Sequence, residues 1–202
     1  TIYPNIYAAG DVAGPYQFTH VGAHQAWFAS VNALFGQFRR FKADYRVIPA
    51  ATFLDPEIAR VGLSEAEARA KGIAYEATRY GIDDLDRAIA DGSAEGFVKV
   101  LTVPGRDRIL GVTIVGEHAA DLLAEFVLAM RHGLGLGKLL STTPLYPPLA
   151  APHKHAAGVA YFASRDSQPS LDVQAKAVLS RIDGAVRVPG LKDEVQVMRD
   201  TW

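Results

Sequence analysis

At 202 residues, 49% hydrophobic and 21% charged, the chain is long enough to bury a sizeable core in one or two domains. Its net charge of −1 gives no electrostatic case for nucleic acid or an anionic membrane surface, and no apolar run approaches the roughly 20 residues needed to span a bilayer. Cysteine is absent, which excludes thiolate metal sites, disulfides and a redox-active Cys pair within these residues.

Ile6-Tyr7-Ala8-Ala9 is a short apolar run that suits a buried strand, and it stops at Gly10-Asp11. Gly10 permits a tight turn with close backbone approach, while Asp11 puts a carboxylate just past the strand end. Ligands collect at such ends in sheets covered on both faces, although a lone carboxylate there also serves as a turn former or helix cap. Gly14-Pro15 turns the chain, and Phe18-Thr19-His20 leads into a buried helix over Val21–Phe35, ended by Gly36. His20 and His24 have a zinc-compatible spacing without a third ligand nearby, so they read as helix-face residues. The basic run Arg39–Lys42 reads as a solvated connector, and the character of the sequence shifts near Asp44.

Beyond that point strands are expected over Tyr45–Leu54 and Ile58–Leu63, joined by an Asp55-Pro56-Glu57 turn. Ser64 and Glu67 form a capping box that opens a helix closed by Gly72. A strand over Ile73–Tyr80 and a polar helical piece over Asp83–Ala90 follow. Gly96–Leu101 and Arg108–Gly116 make a hairpin in which Phe97, Lys99 and Leu101 alternate with Val98 and Val100. Glu117–His132 is an amphipathic helix with Ala120, Leu123, Phe126, Val127 and Met130 on one side. The glycines of 133–137 follow a helix instead of a strand, so they read as a stop and connector rather than a phosphate loop. A short helix covers Leu139-Leu140. Near the end, Ser170 caps a helix carrying Leu171, Ala175, Val178, Leu179 and Ile182 on one face.

Two stretches resemble a known family. Thr1–Val12 resembles the second flavin-binding motif of the pyridine nucleotide-disulfide oxidoreductases, which include glutathione reductase, dihydrolipoamide dehydrogenase and mercuric reductase. Ile48-Pro49 with Phe53–Glu65 resembles the start of that family's dimerisation domain. The resemblance covers roughly residues 1–160. It implies an α+β fold, an antiparallel sheet with packed helices, preceded by the end of an FAD-binding domain. Residues 1–43 would be that end, 44–163 the dimerisation domain, and 164–202 an extension of unknown role.

The same resemblance implies that Gly10 and Asp11 serve FAD, Asp11 by bonding the ribityl chain, and that Thr19 and His20 lie where a helix N-terminus meets the flavin ring. NAD(P)H would be the co-substrate. The partners implied are a second copy of the chain and the FAD and NAD domains of the same protein, which would precede residue 1, in a cytoplasmic setting with no nucleic acid or membrane. The 202 residues alone would be inactive. The family also has a signature, His-Pro-Thr-x-x-Glu, whose imidazole is an oriented acid/base toward a thiol. Here Tyr146 stands at the His position and Ala151 at the Glu position, and a phenol with a pKa of about 10 is no comparable base. No catalytic residue is therefore assigned. The acceptor need not be a disulfide, and the extra C-terminal Cys pair of many mercuric reductases is missing. His153 and His155 lie just past the signature and are expected to point elsewhere. An alternative is a degenerate, non-catalytic assembly module.

Overall fold

A computed structural model describes residues 1–145 and 149–163, and Thr1–Ser164 form one compact unit. Tyr146 and the whole tail, including the expected Ser170-capped helix, lie outside the described residues.

Five strands build a single antiparallel sheet in the order β1-β2-β5-β4-β3: β1 Pro49–Thr52, β2 Glu57–Gly62, β3 Glu76–Gly81, β4 Phe97–Thr102 and β5 Ile109–Gly116. The alternation seen in the sequence sorts the two faces. Ala59, Val61, Val98, Val100, Val112 and Ile114 are buried on the inner face. A register shift at Leu101/Thr102 pairs Thr102 with Ile109, and Ile109 joins the inner-face cluster. Two helices cover the inner face, α4 (Ala119–Arg131) and α6 (Ala151–Ala163), and they meet it through Ala119, Leu123, Phe126, Ala156, Ala157 and Ala160. Small alanines on α6 allow close approach, while Phe126 of α4 fills the centre. α5 (Leu136–Leu140) closes one end with Leu136 and Leu139.

The outer face is different in kind. Arg60 and Lys99 project from it to Glu67 and Glu65 of α2 (Glu65–Ala70). α2 opens with the expected capping box: Ser64 accepts from the Glu67 amide and Glu67 accepts from the Ser64 amide. α3 (Asp86–Asp91) seals a small second cluster of Ile82, Leu85 and Ala88.

Several boundaries differ from expectation. β1 starts at Pro49 instead of Tyr45, because Asp44 is occupied by Arg46 and Arg131 and only Pro49–Thr52 pair with β2. β3 starts at Glu76, the residue opposite the last paired position of β4. α1 (Thr19–Phe35) begins two residues early. The run Ile6–Ala9 is not a strand: Ile6 and Tyr7 are 51% and 44% exposed, and among the described residues no strand runs alongside to take its backbone bonds.

Candidate functional site

The expected flavin-binding residues gather around the first turn of α1. Gly10 has φ 80°, in the region glycine tolerates, and is followed by a single 3₁₀ turn, Asp11–Ala13. A Cβ added at Gly22, in the first turn of α1, would lie 3.3 Å from Gly10 Cα, so the helix and the Gly10 backbone are in close contact. Gln25, one turn further on, holds the arrangement. Its Oε1 accepts from the Gly10 amide at 2.7 Å, and its Nε2 donates to the Gly14 carbonyl at 3.0 Å and to Tyr45 Oη at 3.1 Å. Gln25 is 5% exposed, and sequence reasoning missed it because its partners are 11 to 20 residues away.

Asp11 is exposed, and its carboxylate has no hydrogen bond or ion pair to another described residue. α1 has no side-chain cap at Phe18, so the amide donors of its first turn, Thr19 and His20 included, are not met by a capping side chain. The His20 ring stacks on Phe18 at 5.2 Å and its Nε2 lies 3.0 Å from the Pro49 carbonyl. A carbonyl only accepts, so Nε2 is the donor in this contact. A cleft of about 440 Å³ is lined by Phe18, Thr19, His20, Ala50, Phe53 and Ala120 among others. Open helix donors beside a ligand-sized cleft suit a ring edge that carries hydrogen-bond acceptors, and an unpaired carboxylate suits a group with hydroxyl donors. His24, four residues from His20, packs edge-on against Phe28.

The second group of polar residues sits on α6. His153 is buried at 2% exposure, its ring against Phe126, and its Nδ1 lies 2.7 Å from Glu125 Oε2. His155 is exposed and its Nδ1 lies 2.7 Å from Tyr80 Oη. Tyr80 Oη in turn lies 2.9 and 2.8 Å from the two oxygens of Asp84, and burial together with that carboxylate pushes the phenol up to about 12. Both histidines have definite partners, which the sequence could not reveal because Glu125 and Tyr80 are 28 and 75 residues distant. Asp107 is a further organiser: its carbonyl accepts from the Leu136 amide and its carboxylate from the Gly137 amide, so the glycine connector is bound by the chain itself.

The model of the pyridine nucleotide-disulphide oxidoreductase dimerisation domain matches residues 48–157. Dihydrolipoyl dehydrogenase of Chlamydia muridarum is 36% identical over 150 residues, which is 74% of this chain and 32% of that protein. Mercuric reductase of Acidithiobacillus ferrooxidans is 35% identical over 136 residues, 67% of this chain and 24% of that protein. The chain thus spans about a third or less of these relatives. Among solved structures, LpdA from Mycobacterium tuberculosis superposes with a TM-score of 0.69 at 27% identity, covering 76% of this chain and 33% of that one. The flavoprotein disulfide reductase RclA of Escherichia coli gives 0.70 at 23% identity, covering 77% and 35%, a likeness of fold. Sheet order, capping box and family match agree: the chain belongs to the pyridine nucleotide-disulphide oxidoreductases and carries their dimerisation domain.

Proposed function

We propose that this chain is the C-terminal portion of an FAD-dependent oxidoreductase that uses NAD(P)H, and that it supplies part of the flavin site and the homodimer interface. Residues 1–43 complete the flavin-binding domain, 44–163 form the dimerisation domain and 164–202 an extension. The observation that carries the reading is the exposed, unpaired Asp11 carboxylate beside Gly10, against which the first turn of α1 packs.

Bound FAD would supply two-electron transfer between nicotinamide and an acceptor. Asp11 accepts hydrogen bonds from the ribityl hydroxyls, a charge-assisted contact of about 1.5–3 kcal/mol. The α1 N-terminus, with Thr19 and His20, directs amide donors and the positive end of the helix dipole toward the ring edge. Gln25 keeps Gly10 in place for this. Tyr146 and Ala151 leave the thiol-handling dyad without its acid/base, which favours an acceptor other than a disulfide.

Purification of the full-length protein tests the reading: about one FAD per chain, bleached by NAD(P)H, is expected. A colourless protein inert to NAD(P)H would instead support a non-catalytic assembly module, the alternative that loss of the dyad favours.

A further inference from the structure

A pocket of about 270 Å³ lies between α1, the connector ahead of β1 and the last turn of α4. The two residues it shares with the cleft described above, His20 and Pro49, are bonded to each other, so the two spaces have separate polar groups. Part of its lining is apolar: Val21 of α1, Val47 and Ile48 of the connector and Val127 of α4. Val21 is buried, and Val47 and Val127 pack on the main core, so this wall is fixed by the fold. The polar part comes from Asp44, Arg131 and His24.

Asp44 has no capacity left for a ligand. Its oxygens accept from the Arg46 amide, from Arg46 Nε and Nη2, and from Arg131, whose Nη1 lies 2.5 Å away. The Arg46 hydrogen bonds, with Arg131 beside them, hold its carboxyl well below the usual carboxylate range. Two guanidinium groups thus share one carboxylate, and the cluster is positive. What remains are donors. Asp44 is the one partner of Arg131 among the described residues, which leaves Nε and Nη2 as a fork of the kind that meets a carboxylate with two parallel bonds. His24 has no hydrogen-bond partner among the described residues, its ring packing edge-on against Phe28. The first turn of α1 adds the positive end of its dipole, and Arg131 offsets the negative end of α4.

We propose that this pocket binds a small organic anion, a carboxylate on a short aliphatic body. Arg131 and His24 hold the carboxylate, and Val21, Val47 and Val127 surround the body. The site stands apart from the flavin reading given above and does not depend on it.

Calorimetric titration of the full-length protein with hexanoate tests it. Saturable binding with a Kd of about 1 mM or tighter is expected. Hexanamide keeps the body without the charge, and inorganic phosphate keeps the charge without the body. Each should bind at least about tenfold more weakly than hexanoate. Arg131→Gln should weaken hexanoate at least about tenfold, and His24→Leu about threefold. Asp44→Asn removes the competing carboxylate and frees the guanidinium, so it should tighten hexanoate severalfold; a purely structural role for the Asp44–Arg131 pair predicts weakening in both of its variants. Absence of saturable binding, equal binding of hexanamide or phosphate, or an unchanged Kd in Arg131→Gln or His24→Leu would overturn the site. Weaker binding by a folded Asp44→Asn variant would overturn it as well.

Discussion

Glu65 and Glu67 show how single side chains tie α2 to the sheet. Lys99, Arg69 and Tyr75 around Glu65, and the Ser64 amide with Arg60 at Glu67, lower both carboxylates from 4.5 to about 2. Groups depressed in this way stabilise the fold fully above 4.5, and that contribution disappears as pH falls from 4.5 to about 2. Thermal midpoints measured down this range should drop, and the double variant Glu65→Gln, Glu67→Gln should flatten the slope; an unchanged slope would count against these contacts. Ser64→Ala removes one half of the capping box and should cost about 1 kcal/mol in chemical denaturation. The box was legible because both of its residues lie within one turn. Gln25 and the Glu125–His153 pair were not, since a polar residue inside a helix gives no sign of a partner on another element.

At the scale of elements, patterns with a period proved readable and their ends did not. Leu123 and Phe126 of α4 and the Val98/Val100 alternation of β4 follow from spacing alone, whereas the buried stripe of α4 is completed by Ala119 and Ala129 in place of Ala120, Val127 and Met130. The ends of β1 and β3 are set by neighbours, by the ion pairs at Asp44 and by where β4 stops pairing, which no local pattern encodes. Ile6–Ala9 is apolar enough for a strand, but apolar character cannot substitute for a neighbouring strand. Phe126, fully buried between α4, the sheet and His153, is the central test of packing. Phe126→Ala should lose about 3–5 kcal/mol of stability, read from urea unfolding. A loss below about 1 kcal/mol would mean that α4 is not seated on the sheet in this way.

For the whole molecule, the sheet-covering helices retain apolar groups on their outward sides, with Leu128 of α4 59% exposed and Val159 of α6 50% exposed. In a family whose matched region is a dimerisation domain, these are the positions expected to meet a second copy by two-fold symmetry. Light scattering of the full-length protein at tens of micromolar should give a dimer, and Leu128→Glu should shift it toward monomer; a monomeric wild type would contradict that assignment. The N-terminal elements point the other way. In the proposed reading the cleft beside β1, the open first turn of α1 and the exposed Asp11 would meet the flavin. Flavin retention in full-length Asp11→Ala, measured against wild type after extensive dialysis, tests that claim most directly. Loss of one charge-assisted bond should weaken FAD binding about 10- to 100-fold, whereas unchanged flavin content would contradict the role given to Asp11 and, with it, the flavin site.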